Sequence, residues 1–263
     1  MDSAAVLQAY NTQVRQSTRP DGTGALFEHD GAVLRRVADS TQDGPGGSGV
    51  FWSDLDPATA GPVIAAQVAF FRDLGKMFEW KLYDYDQPAD LADRLLAAGF
   101  VPEDAEALMM AEVSQVPREV RLPEGVRLEP VTDAEGIDRL AGLHERVFGK
   151  DESGVRNSLV EQLRTAPEII GMVVAMAGDE PVCSARIEFV PGTDFAGLWG
   201  GGTLPEWRGR GIYRALVAYR AALAAERGYR YLQVDASPDS RPILERIGFT
   251  CLAITTPYIW SPA

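Results

Sequence analysis

The residues best placed to do chemistry together are Arg208-Gly209-Arg210-Gly211, in the run Thr203-Leu204-Pro205-Glu206-Trp207-Arg208-Gly209-Arg210-Gly211-Ile212-Tyr213. A strand-like segment ends where this run begins, and a helix-like one opens where it ends. The first turn of a helix leaves backbone N–H groups without internal partners, at the positive end of the helix dipole. Glycine lets an anion approach that backbone closely, so a phosphate is the natural guest. Arg208 and Arg210 add positive charge locally, in a chain with 25 Lys+Arg, 38 Asp+Glu and a formal net charge of -13. Two other phosphate motifs are excluded. A P-loop needs Lys-Ser or Lys-Thr after its last glycine, and a dinucleotide fingerprint needs a third glycine where this chain has Arg214.

Other reactive residue types say less. Cys183 and Cys251 form no spaced pair, and with His29 and His144 as the chain's two histidines no usual zinc site is expected. Cys183 lies in an apolar run and reads as a small core residue. The acidic surface repels phosphate backbones, so neither nucleic acid nor an anionic membrane is expected as a partner, whereas a cationic amine is favoured. No run approaches the roughly 20 apolar residues of a membrane span, and Met1-Asp2-Ser3-Ala4 is not a basic region followed by a long apolar stretch. A reduced, cytoplasmic protein is expected.

The turn must be held by the elements around it. Ile212, Leu216, Tyr219 and Leu223 share one stripe of a helix over 209–227, which Gly228 ends. Strands at 195–203 and 229–235 flank that helix, a βαβ unit whose strands should be parallel. Gly200-Gly201-Gly202 inside the first of them suggests a bulge or a close ligand approach. Around this unit the pattern gives a strand at 126–131 and helices at 133–148 and 154–164. A hairpin of 169–177 with 182–190, a short helix at 241–247 and a strand at 252–260 complete it.

The first half reads as helices at 4–15, 62–74 and 88–98, and strands at 25–29, 32–37, 49–55, 78–85 and 108–113. A Gly-rich loop spans 43–49. The polar, proline-bearing segment 117–125 is the linker, dividing the chain into 1–118 and 126–263. The halves repeat: a long helix, a strand, then a helix that ends in Ala98-Gly99-Phe100 or Ile247-Gly248-Phe249.

On Pro205 to Ile212 the chain resembles the GNAT superfamily of acyl-CoA N-acyltransferases. Its Arg/Gln-x-x-Gly-x-Gly/Ala signature is matched at Arg208 and Gly211 and departs at Tyr213. The family's later Asn-x-x-Ala-x-x-Leu-Tyr-x-x-x-Gly-Phe element aligns with Ser237 to Phe249. Gly248 and Phe249 fit, but Ser237, Ser240 and Leu244 replace the Asn, Ala and Tyr. The first half resembles a degenerate copy, with Asp56-Pro57-Ala58-Thr59-Ala60 in place of the pyrophosphate turn. The resemblance thus implies an α/β (α+β) fold of two tandem GNAT-like domains, a mixed sheet flanked by helices.

It also implies how such a protein works. Acetyl-CoA would lie in the V between the strand ending at Thr203 and the strand 229–235. The amides of Arg208, Gly209, Arg210, Gly211, Ile212 and Tyr213 would hold its pyrophosphate. Backbone at Gly202, Thr203 and Leu204 would bind the pantetheine arm and polarise the thioester carbonyl, with Ser237 and Ser240 lining the later element. Glu188 is the candidate base for the amine. With Leu244 in place of the Tyr, Tyr213 and Tyr231 are the candidate acids. The expected activity is transfer of acetyl from acetyl-CoA to a small-molecule amine, with no metal; a homodimer is compatible with it. The alternatives are a non-catalytic acyl-CoA-binding or regulatory protein, which Leu244 would suit, and a plain interaction module, which needs no phosphate turn.

Overall fold

The computed structural model of the chain describes residues 1–39 and 47–262. Residues 43–46 of the expected Gly-rich loop lie outside them. The first half contains α1 (Ser3–Tyr10), prolonged by a wider turn over Asn11–Arg15, then β1 (Leu26–Asp30), β2 (Val33–Val37), β3 (Gly49–Ser53) and α2 (Ala60–Asp73). β4 (Phe78–Tyr83), α3 (Leu91–Ala97), a two-residue β5 (Val101–Pro102) and β6 (Glu106–Glu112) follow. The second half contains β7 (Val126–Val131), α4 (Ala134–Phe148), α5 (Ser153–Thr165), β8 (Ile170–Ala177), β9 (Glu180–Phe189) and β10 (Phe195–Thr203). It ends with α6 (Ile212–Glu226), β11 (Tyr231–Ala236), α7 (Arg241–Glu245) and β12 (Thr250–Trp260).

Local chemistry explains the boundaries that matter. The Asp133 carboxylate accepts from Gly136 N at 2.8 Å and starts α4, and Gly149 in the left-handed region ends it. Gly228, with φ 78°, ends α6. β8 alternates across the sheet. Ile170, Met172, Val174 and Met176 pack under α4 and α5, while Val173 and Ala175 pack with Ile212 and Leu216 of α6. The two helix layers therefore lie on opposite faces.

All twelve strands belong to one sheet, ordered β1-β2-β3-β4-β12-β6-β11-β10-β9-β8-β7, with β5 paired to β12. β6 of the first half is inserted beside β11, from Tyr231 opposite Glu112 to Ala236 opposite Ala107. β12 of the second half lies against β4, from Thr255 opposite Tyr83 to Trp260 opposite Phe78. Each half thus gives its last strand to the other. The cores merge accordingly: Ala107, Met109 and Ala111 of β6 pack in one cluster with Val217, Ala221 and Ala224 of α6. The segment 117–121 between the halves is exposed.

β10 and β11 are parallel, as the βαβ pattern requires. They pair only at Phe195, Ala196 and Gly197, opposite Tyr231, Leu232 and Gln233. Beyond that point β10 runs on to Thr203 and β11 to Ala236 without pairing to each other. The sheet is split into a V at its centre, and α6 begins at the mouth of that V.

Candidate functional site

The Gly-rich turn forms as its sequence demands. Gly209 and Gly211 have φ 75° and 83°, values that L side chains rarely adopt. Gly211 is the residue before the first turn of α6, and no side chain caps that turn. A Cβ on Gly209 would meet nothing within 4 Å, so the surface over the turn is open. Arg208 Nε donates to the Thr203 carbonyl at 3.2 Å, and Arg210 lies over the Trp207 ring at 4.4 Å. The Arg214 guanidinium comes within 3.5 Å of where a Gly211 Cβ would be. These groups open onto a cavity of about 580 Å³ whose far wall is linker residues Arg121 to Pro123. Uncapped amides, left-handed glycines and nearby cations fit a diphosphate. Ile212 is buried against the second-half core, so its backbone alone faces the turn.

Gly200-Gly201-Gly202 is a bulge. The β9–β10 register shifts between Trp199 and Gly202, and Gly200 has φ 56°. Different groups approach its two faces. On the α4 side, His144 Nε2 donates to the Gly200 carbonyl at 2.7 Å. On the α6 side, a Cβ on Gly201 would fall 2.8 Å from Tyr213 Cε2. Gly202 leaves room for Phe148 and Val147 at 3.1 Å. Leu204 is less available than expected, since its N–H bonds to the Val182 carbonyl at 3.0 Å. Thr203 Oγ1 contacts Cys183 Sγ at 3.0 Å, and burial pushes the Cys183 thiol up to about 11, so it is an inert core residue.

Tyr213 is enclosed beside the V. Burial holds its hydroxyl above the ordinary tyrosine range, opposed by nearby Arg220 and by a hydrogen bond with Ser240. Ser240 Oγ is in turn 3.2 Å from Ser237 Oγ, so both serines lie where β11 leads into α7. Leu244, one turn later, is sealed in the apolar core. Tyr231 goes elsewhere: it stacks on Phe195 with centroids 5.1 Å apart, at the closed end of the V, in a cluster with Tyr10 and Met110. Strand alternation and position both keep it from the bulge.

Glu188 faces a second cavity, of about 610 Å³, between the two halves. Its Oε1 accepts from Arg186 Nε at 2.9 Å. Arg186, Glu188 and Trp199 form the wall next to the bulge, and α5 residues Val155 and Leu159 form another. The opposite wall comes from the first half and was not visible in the sequence. There Tyr10 and Tyr83 hydroxyls meet at 3.2 Å, and Lys81 Nζ pairs with Asp235 of β11 at 2.8 Å. Burial alone would lower the Lys81 pKa, but Asp235, Glu79 and Glu106 together hold it well above its usual value. Arg220, 2% exposed on α6, was also missed. It pairs with no carboxylate among the described residues and donates instead to the Leu216 and Arg186 carbonyls, at 3.1 and 3.0 Å.

In the first half, the segment 56–59 before α2 is closed from within. Asp56 Oδ1 accepts from Ala58 N and Thr59 N, both at 2.8 Å, just before α2. Those amide bonds hold the Asp56 carboxyl below its usual range. A carboxylate of the chain itself occupies the donors that an external anion would need. Among the described residues no group of three or more His, Cys, Asp or Glu could hold a metal ion, and no helix is long and apolar enough to cross a membrane.

Residues 138–249 match the model of the acetyltransferase (GNAT) family. No curated protein matches the chain. Among solved structures, a GCN5-related N-acetyltransferase from Kribbella flavida is 19% identical with a TM-score of 0.70, over 100% of this chain and 96% of its own. A functionally unknown conserved protein from Staphylococcus epidermidis is 15% identical with a TM-score of 0.69, over 90% of this chain and 93% of its own. A tandem GNAT protein from the clavulanic acid biosynthesis pathway is 14% identical with a TM-score of 0.61, over 98% and 94%. At these identities the likeness is one of fold, and it spans both halves. Residues 138–249 are therefore similar to the GNAT acetyltransferase family, and the whole chain shares its fold with solved GNAT structures.

Proposed function

We propose that the protein transfers the acetyl group of acetyl-CoA to the amine of a small molecule. The observation that carries this is the order of parts along the centre of the sheet. It runs from the uncapped turn at Gly209–Gly211, through the open V and the Gly200–Gly202 bulge, to the cavity wall at Glu188. A cavity of about 610 Å³ between the halves has the dimensions of a small-molecule site. We read the first half, 1–118, as a degenerate copy that has lost its anion turn to Asp56 and now supplies the far wall for the acceptor. The second, 126–263, holds the acyl donor.

Acetyl-CoA brings an activated acyl group as a thioester. Amides from Arg208 to Tyr213 hold its diphosphate, with Arg210 and Arg214 balancing the charge. Backbone N–H groups of the bulge hold the acyl oxygen as it gains negative charge. An alkylamine of pKa about 10 is only about 0.1% neutral near pH 7, so a base is needed. Glu188 accepts the proton as the nitrogen attacks and the C–N bond forms. The C–S bond then breaks, and Tyr213, kept protonated by its burial, gives a proton to the departing sulfur.

The test is thiol release from acetyl-CoA in the presence of an amine panel. Glu188→Gln should lower turnover by about 10²- to 10⁴-fold near pH 7, recover in part at higher pH, and leave CoA affinity unchanged. Full activity of that variant from about pH 6 to 9 would exclude Glu188 as the base. Leu244, sealed in the core, favours a second reading, a non-catalytic acyl-CoA-binding protein. It would stand if wild-type protein binds CoA yet releases no thiol above the blank with any amine.

A further inference from the structure

His144 is 2% exposed on the buried stripe that α4 presents to the sheet, in line with Ile137, Leu140 and Ala141. An imidazole there is costly unless its polar atoms are satisfied, and Leu or Phe would fill the space without that demand. The ring is used for a bond: Nε2 donates to the Gly200 carbonyl at 2.7 Å. Shape agrees with chemistry, because a Cβ on Gly200 would lie 2.6 Å from His144 Cε1 and 3.1 Å from Nε2. The ring is held in orientation by Phe148, edge-on at 5.5 Å, and by Glu152, whose carboxylate is 3.6 Å from Nδ1. Glycine and histidine are therefore matched at one contact, in the middle of the bulge.

A trans peptide points its C=O and its N–H in opposite directions. With the Gly200 carbonyl drawn toward α4, the N–H of Gly201 is turned to the other side, where Tyr213 lies against Gly201. We propose that His144 is a positioning residue for acyl transfer: by holding the Gly200 carbonyl it aims the Gly201 N–H at the oxygen of the thioester. This rests on the reading of the V as the acetyl-CoA site. His144 does not touch the reacting atoms; it acts through one peptide plane.

The experiment uses full-length protein with acetyl-CoA labelled with ¹³C at the thioester carbonyl, whose infrared band moves to lower wavenumber as a hydrogen bond to it strengthens. Three variants are compared. His144→Leu has no donor, His144→Asn has one too short to reach Gly200, and His144→Gln carries an amide nitrogen near the place of Nε2. The bound band should be low in wild type and His144→Gln, and return toward that of free acetyl-CoA in His144→Leu and His144→Asn. Turnover should fall about 10- to 100-fold in the latter two while CoA affinity stays within about two-fold. If His144→Leu does not fold, the contrast between His144→Asn and His144→Gln decides alone. An unmoved band with unchanged turnover overturns the proposal. So does a loss of CoA affinity and thermal stability shared by all the variants, which is the mark of a packing residue. Wild-type protein that fails to bind acetyl-CoA at all would bring down the acetyl-CoA site itself, a result distinct from binding with an unmoved band.

Discussion

Position 244 carries a leucine where the resemblance would place a tyrosine, and a phenol from another helix reaches the start of its helix. Tyr213 of α6 bonds to Ser240, one turn before Leu244, and its ring lies against Gly201. Tyr213→Phe removes that hydroxyl with little change of shape. Turnover should drop by about 10²-fold if the phenol protonates the leaving sulfur. Because burial raises the Tyr213 pKa, the phenol stays protonated through neutral pH, so the loss should be equal at pH 6 and pH 8 in a steady-state assay. Such residues differ in how far sequence reveals them. The Arg208–Gly211 turn is legible because its chemistry is local. His144 and Arg220 are not, since each spends its polar atoms on a carbonyl far away in the chain, Gly200 or Arg186. A polar residue on the apolar stripe of α4 was the available signal for His144.

At the scale of elements, alternation and helical period found nearly every strand and helix of the second half, and the Gly-Gly-Gly run marked the bulge. They could not say which strands are neighbours. β6 and β12 are both apolar enough for a buried place, and nothing in their patterns tells that each lies in the other half's share of the sheet. That exchange has a measurable result. A protease that cuts the exposed segment 117–121 should leave the two fragments together, eluting at the intact mass by gel filtration and parting only in denaturant. Fragments that separate in native buffer would contradict the shared sheet.

Over the whole molecule, the acidic balance was legible from composition, but the place where it is felt was not. Lys81 of β4, Asp235 of β11 and Glu106 of β6 meet where the halves join, with Lys81 Nζ 2.8 Å from Asp235 and 3.7 Å from Glu106. Burial, opposed by Lys81, lifts Glu106 from its usual 4.5 to about 7. The folded protein therefore holds this proton more tightly than the unfolded chain. The resulting stabilisation is complete below about pH 4.5 and is lost as pH rises through about 7. Glu106→Gln should melt with wild type at pH 4 and above it at pH 8.5, by about 2–4 °C for each kcal/mol recovered. Equal melting temperatures at pH 8.5 would show that Glu106 ionises freely.

The strands given by each half to the other also limit how anything reaches the space between them. Two bodies joined by a flexible connector can swing apart around a hinge, admit a guest and close on it. Here such a swing would tear β6 from β11 and β12 from β4. The walls are a fixed mould. Admission falls to the rim, where α5 meets the first half: Gln162 Nε2 donates to the Asp21 carbonyl at 2.7 Å, and Thr165 Oγ1 to that of Gly22. Breaking two such bonds is a local, fast event compared with domain closure, which takes microseconds to milliseconds. On the proposed function, discrimination among acceptors would depend on whether a molecule fits a cast already set, and turnover would not be gated by the slow movement of one half against the other.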